Sequence, residues 1–449
     1  MDLFIALVLF FIALLASVIL QLPVIWPVFL GMLCFSAVGL HRGFSPRQLL
    51  AMIWQGIRRS LIVVRILLLI GAITALWRAG GTIPILVYYS IQALQPQTFL
   101  LLAFLSAALV SYMLGSSYGT VGTIGVVMII LAQSGGVSLP VAAGAILSGA
   151  YFGDRGAPTS SCANLVANVT GSELYHNVRL MWRDALFPLL ICLIIYGALS
   201  FRFPLVVTDI AILRDIEASF RLSLWTLLPA AIILILPLFH LSVGRSLLVS
   251  GAAAILCACF IQQMPLPVLL RTIALGFSLE GGRFAEIISG GGIVTMLEVC
   301  LLVICSSTYS GIFEGTGMLH GFEEKLNALV DRIRIFPAML LTSLIANIAA
   351  CNQTLAVMIC GQLLRPIYEK RGLSPSRLAL DIANSAVTIA GLIPWSVACT
   401  VPLSMMDAGA DALPFACFLY LVPLCAFFHS LRQERASAQE RSASCGTQR

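Results

Sequence analysis

Ser148-Gly-Ala-Tyr-Phe-Gly-Asp154-Arg155-Gly-Ala-Pro158-Thr-Ser160-Ser161-Cys162-Ala163-Asn164 is the stretch whose reading decides the fold. It lies inside a run of membrane-grade hydrophobicity. Yet it carries Asp154 and Arg155, together with the helix breakers Gly149, Gly153, Gly156 and Pro158. An unsatisfied backbone group in hydrocarbon is costly, so an irregular segment persists there only where it lines a cavity or is wrapped in protein. A charge at mid-bilayer costs roughly 2.5–3.5 kcal/mol on insertion scales. A segment that carries both costs points to function. The bland alternative puts Asp154 and Arg155 in an ordinary loop at a membrane edge.

The surrounding composition supports the membrane reading. The chain has 449 residues, 59% hydrophobic and 10% charged, whereas soluble domains carry about 25% charged residues. This defines an all-α polytopic membrane protein. The net charge of +6 belongs to the loops and reports orientation, not nucleic-acid binding. Most of the thirteen cysteines, such as Cys34, Cys192, Cys257, Cys300 and Cys425, sit in apolar runs without metal-ligand spacing. The five histidines are scattered, none paired at i, i+4. No cofactor and no resident metal are expected. Residues 2–20 lack a basic start and run into a second apolar segment, so they are expected to be a first span and not a cleaved signal.

Apolar spans of about 20 residues fall in two sets. Residues 3–20 and 22–40 form a tight pair, followed by a connector with Arg42, Arg47, Arg58 and Arg59. Residues 61–77 span next; 80–95 read as a short, partly interfacial connector; 98–114, 121–132, 141–152 and 184–201 complete a first half over 1–201. The polar stretch 202–221 is the boundary. A second half over 222–430 repeats the rhythm, and 431–449 form a polar tail. The total is about 12–14 crossings.

The halves match at a constant offset. Pro394 lies 236 residues after Pro158, Ser396 after Ser160, Asn352 after Ser116, and Gly317 after Gly81. This predicts a duplicated fold. The arginine-rich loop after the second span is expected in the cytoplasm, which puts the N terminus inside. The neutral loop 133–140 then falls outside, and its counterpart 365–377, with Arg365, Lys370, Arg371 and Arg377, falls inside. Equivalent loops on opposite sides define an inverted repeat. The basic C-terminal tail is also placed in the cytoplasm of a cell-membrane protein.

Four breaks occupy matching places: Gly115–Thr120, Gly153–Ser161, Ala350–Thr354 and Gly391–Ser396. Breaks of this kind point to a substrate site near the midplane. Their hydroxyls, amides and bare carbonyls suit a hard monovalent cation, while half-helix N termini suit a carboxylate. The residues support both. The other buried charges, Arg65 and Glu298, fall on symmetry-related spans and are expected to form a buried ion pair, or else Arg65 snorkels to the cytoplasmic face.

These motifs resemble the NhaC-type Na+/H+ antiporter family over most of the chain. Gly115-Ser-Ser-Tyr-Gly-Thr120 is similar to the family's Gly-Thr-Ser-Trp-Gly-Thr, and Ser148–Asp154 to its Ser-Gly-Ala-x-Phe-Gly-Asp. Pro158, Ser160 and Asn164 continue that match, Tyr368–Pro375 is similar to Tyr-x-x-Arg-Gly-Leu-x-Pro, and Leu392–Trp395 to Leu-Ile-Pro-Trp. The chain departs from the family at its carboxylates. Ser161 and Cys162 stand in Ser-Asp-Thr-Thr-Asn, Asn352 in Gly-Asp-Gln, Ala383 and Asn384 in Glu-Asp, and Ser396 where Asn follows the Trp. Asp154 is the clearest survivor.

The resemblance implies a secondary transporter working by alternating access, with Asp154 as coupling carboxylate. Ser116, Ser117, Thr120, Ser160, Ser161, Asn164, Asn352, Gln353, Asn384 and Ser396 are expected to line or support its site. Na+/H+ antiport is the first expectation. The lost carboxylates make coupled exchange of an organic acid or other small metabolite the second. A membrane enzyme would want a Ser/His or carboxylate pair on facing spans, and Asp154 has no His nearby. Gly290-Gly-Gly292 lacks the Lys-Ser/Thr of a phosphate cradle, which disfavours an ATP-driven pump. Partners are then the small substrates and the bilayer, with a homodimer left open.

Overall fold

The computed structural model describes residues 2–20, 25–93, 96–204, 210–236, 241, 243–279, 288–316 and 332–446. Among these residues the chain is helical, without β-strands; its one isolated β-bridge joins Phe277 to Gly290. Among the described residues three helical stretches are by themselves long and apolar enough to cross a membrane: Leu174–Arg202, Gly244–Ile261 and Val294–Phe313. Shorter apolar helices, such as Phe99–Leu114 and Ile335–Ala350, are cut short by the breaks.

The helices of the first half are α1 (Asp2–Ile19), α2 (Ile25–His41), α3 (Pro46–Ala79), α4 (Thr82–Ala93), α5 (Phe99–Leu114), α6 (Ser117–Thr120), α7 (Val126–Ser134), α8 (Leu139–Gly156), α9 (Ser161–Thr170) and α10 (Leu174–Arg202). A π-helical turn, Val121–Gly125, joins α6 to α7. The segment expected as a connector at 80–95 is largely the helix α4, which packs on α3 and α7. The stretch 202–221 holds α11 (Ile210–Ser219); residues 205–209 lie outside the described residues.

The second half contains α12 (Leu228–Ile235), α13 (Val243–Leu256), α14 (Leu266–Leu275), α15 (Leu297–Thr316), α16 (Ile335–Ala350), α17 (Gln353–Lys370), α18 (Pro375–Ile382), α19 (Thr388–Ala390), α20 (Val397–Met405) and α21 (Cys417–Gly446). A π-helical turn, Ala383–Val387, separates α18 from α19.

Small residues set the tightest contacts, as expected where backbones approach inside a membrane. A Cβ on Gly153 would come within 2.1 Å of the Ser111 carbonyl carbon, so α8 lies directly on α5. The Ser111 hydroxyl donates to the Ala150 carbonyl at that contact. α3 packs along α15.

Local geometry recurs at the offset read from the sequence. α5 and α16 start and stop 236 residues apart. Gly115 ends α5 at φ 64°, ψ 30°, and Cys351 ends α16 at φ 53°, ψ 14°. Ser116 caps α6 at φ −151°, ψ 123°, and Asn352 caps α17 at φ −148°, ψ 127°. Ser160 and Ser396 cap α9 and α20 with φ −69° and −72°. Gly171 and Asp407 follow those helices at φ 70° and 52°. The fourth sequence match, Gly317, lies outside the described residues.

The break at 153–161 starts later than the glycines indicate. α8 stays helical to Gly156, so Asp154 and Arg155 ride its last turn. Gly149 and Gly153 serve close packing, and the chain leaves the helix at Ala157, just before Pro158, where the pyrrolidine ring disfavours α geometry.

Candidate functional site

Asp154 is buried, 5% exposed, at the C-terminal end of α8. Its Oδ2 accepts from the Ser117 hydroxyl at 3.4 Å and from the Gln353 side-chain amide at 3.3 Å. Ser117 opens α6 of the first half and Gln353 opens α17 of the second. The equivalent half-helices therefore each contribute one donor to a single carboxylate. Gln353 Nε2 also donates to the Val387 carbonyl at 3.4 Å, beside the π-helical turn.

Arg155, the neighbour in sequence, points elsewhere. It is 1% exposed, donates to the Met181 carbonyl at 3.0 Å, and bonds the Asn384 side-chain oxygen. Asn384 in turn donates to Asp184 at 2.8 Å. Successive residues on a helix face directions about 100° apart, so the adjacent charges do not neutralise each other. Among the described residues no ion pair involves Asp154.

The remaining hydroxyls and amides organise the breaks. Ser116 accepts from the Gly119 amide at 3.2 Å, and Asn352 from the Thr354 amide at 2.9 Å. Ser160 accepts from the Cys162 and Ala163 amides at 3.1 Å each while its hydroxyl donates to the Asp154 carbonyl at 2.5 Å. Ser396 accepts from the Ala398 amide at 3.3 Å. Four expected lining residues thus act as helix N-caps, which satisfy orphan amides. Thr120 donates back to the Ser116 carbonyl at 2.8 Å. Ser161 and Asn164 are exposed; Asn164 bonds the Ser160 carbonyl at 2.7 Å and does not reach Asp154.

Arg65 and Glu298 sit on the packed helices α3 and α15, but both are exposed. The buried ion pair expected of them is not formed among the described residues. Their rows face outward from the helix contact, which is made instead by close-packed glycines such as Gly56 and Gly311. Glu298 instead lines a cavity of about 570 Å³ with Arg78, Thr400 and Asp407. A second cavity, of about 800 Å³, is lined by His176, Asp184, Arg377, Asp381 and Asn384. Asp154 lines neither.

Three acidic or basic groups escaped the sequence reading. Asp381 is 2% exposed on α18 and accepts from Tyr368 at 2.8 Å and Arg377 at 3.0 Å. Asp184 holds Asn384, and Arg78 ends α3. The signal for Asp381 was present as a carboxylate four residues after Arg377. Among the described residues no cluster of three His, Cys, Asp or Glu side chains is arranged to hold a metal ion.

A membrane protein that is helical throughout its described residues, with broken helices meeting at a buried carboxylate, has the features of the membrane transporters. A model of the Na+/H+ antiporter family matches residues 2–201 and 149–430, and the chain belongs to that family. It is 30% identical over 380 residues to the Na+/H+ antiporter NhaC of Alkalihalophilus pseudofirmus, covering 82% of this chain and 81% of that protein. It is 28% identical over 408 residues to a malate-2H+/Na+-lactate antiporter of Bacillus subtilis, covering 88% and 85%. It is 26% identical over 393 residues to the arginine/ornithine antiporter ArcD of Halobacterium salinarum, covering 84% and 79%.

Proposed function

We propose that this chain exchanges Na+ for H+ across the cell membrane, with Asp154 as the group that binds one or the other. The observation that carries the reading is a buried carboxylate held by donors from both halves with no cationic partner among the described residues. Burying an uncompensated charge costs several kcal/mol even after relaxation. A proton removes that cost by neutralising the carboxylate; a sodium ion removes it by pairing. The Ser117 hydroxyl has lone pairs free to face a cation, and a half-turn of the Gln353 amide presents its oxygen in place of its nitrogen.

In this reading the two halves form an inverted repeat that rocks about Asp154. The cavity at Asp407 serves the outer face and the cavity at Asn384 the cytoplasmic face, with both termini inside. Ser116, Thr120, Ser160, Asn352 and Ser396 hold the breaks in shape, and Asn384 holds Arg155. A homodimer is compatible with the exposed apolar helix faces. The test is proton movement in proteoliposomes, read by a pH-sensitive dye after addition of Na+, Li+ or K+. Wild type is expected to respond to Na+ and the Asp154→Asn variant to stay silent. A variant that responds like wild type rules out the assignment.

A second reading, coupled movement of an organic acid, rests on the relatives that carry malate, lactate, arginine or ornithine by name. The same vesicles distinguish it: the response then requires an organic acid in addition to the cation.

A further inference from the structure

The cavity of about 570 Å³ combines features that the Asp154 chemistry leaves unused. Arg78 enters it from the last turn of α3. Its Nη1 donates to the Thr74 carbonyl at 3.3 Å, and its Nε is buried without a partner among the described residues. A guanidinium offers five N–H donors in a fixed fork, so most of its capacity is unspent. Gly290 and Gly291, at φ 129° and 73°, form a wall without side chains; a Cβ on Gly290 would lie 3.7 Å from Arg78 Nη2.

Asp407 faces the same cavity and opposes the Arg78 charge, yet among the described residues neither group forms an ion pair within 4.0 Å. The position accepts an aspartate on one count and resists it on another. Its left-handed backbone, φ 52°, favours glycine, Asn and Asp over other residues. It also follows the C terminus of α20, where the helix dipole disfavours negative charge. Its counterpart 236 residues earlier is Gly171, which meets the same backbone demand with no side chain.

We infer that this cavity binds a small carboxylate with a hydrogen-bond donor on its α-carbon, an α-hydroxy or α-amino acid. The Arg78 fork takes the carboxylate through paired bonds, and Asp407 accepts from the α-substituent. This inference deepens the second reading above and rests on it; the sodium site at Asp154 takes no part.

The test uses the full chain in lipid nanodiscs and three matched probes: butyrate, 2-hydroxybutyrate and 2-aminobutyrate. Calorimetry is expected to show the two substituted acids binding at least about tenfold tighter than butyrate, the worth of one charge-assisted hydrogen bond. Arg78→Lys, which keeps the charge and loses the fork, is expected to weaken both by about tenfold or more. Asp407→Asn is expected to narrow the preference over butyrate to about threefold or less, with a melting temperature equal to or above wild type, which separates lost recognition from lost folding. Equal binding of the three acids, no binding of any, or wild-type affinity in Arg78→Lys overturns the inference. Uptake assays in proteoliposomes separate the two levels. Acid uptake that survives Arg78→Lys at wild-type affinity refutes this cavity alone, whereas binding without uptake of any acid refutes the organic-acid reading alone.

Discussion

The two halves share their punctuation and differ in what stands at it. Gly115 and Cys351 both turn the chain left-handed, at φ 64° and 53°, before the caps Ser116 and Asn352. After the second pair of caps, Gly171 and Asp407 again share a left-handed backbone. The charges do not repeat. Asp154 and Arg155 of the first half correspond to Ala390 and Gly391 of the second, both buried. The second half supplies a neutral partner, Gln353, where the first half supplies Ser117. The backbone geometry at these breaks thus recurs while the Asp154–Arg155 charges do not.

Breaking the asymmetry at its centre has the largest expected effect. Asp154→Asn removes the charge proposed to meet a sodium ion, about 3 kcal/mol in a buried site, and sodium-driven proton movement is expected to fall by roughly a hundredfold. Next comes the left-handed turn. In Gly115→Ala the new Cβ would lie 2.4 Å from the Thr159 carbonyl carbon, so a loss of about 3 kcal/mol is expected from strain and overpacking together. Cys351→Gly at the matching turn is expected to stay within about 1 kcal/mol of wild type, because relief of strain offsets the lost buried side chain. Thermal unfolding in detergent compares the two.

A smaller effect is expected at the partner contributed by the second half. Gln353→Leu removes one hydrogen bond to a charged group, about 1.5 kcal/mol, and is expected to raise the half-saturating Na+ concentration about tenfold. The smallest pair sharpens the comparison at the helix ends. Gly171→Ala is expected to lower stability by about 1 kcal/mol and Asp407→Gly to raise it by a similar amount, again read by thermal unfolding. Equal signs for that pair would show that the two ends are not equivalent.

Much of the architecture was legible because it is written in residues with strong backbone demands. Pro158 and Pro394, Ser160 and Ser396, and Ser116 and Asn352 mark boundaries at one spacing, and the dihedral angles repeat with them. Asp154 was legible because a carboxylate in an apolar run is conspicuous. Side-chain direction was not. Ser160 and Ser396 were read as lining a site, whereas their oxygens are occupied by the amides of the helices they cap. Arg155 adjoins Asp154 in the sequence, but helical rotation sends it to Asn384. Asp381 was hidden because Arg377 and Tyr368, which satisfy it, stand on either side of a loop. Glu298 read as buried from hydropathy alone, because an apolar segment does not reveal which of its faces borders a cavity.

The chain from Arg155 through Asn384 to Asp184 fastens one second-half side chain between two first-half side chains. A relative movement of the halves at this point would stretch two charge-assisted bonds that meet at Asn384, in the wall of the larger cavity. In the proposed exchange such a latch would act on the barrier between conformations more than on the ion's resting place. Loosening it with Asn384→Ala therefore belongs to kinetics: turnover changes while the sodium concentration at half-saturation stays put.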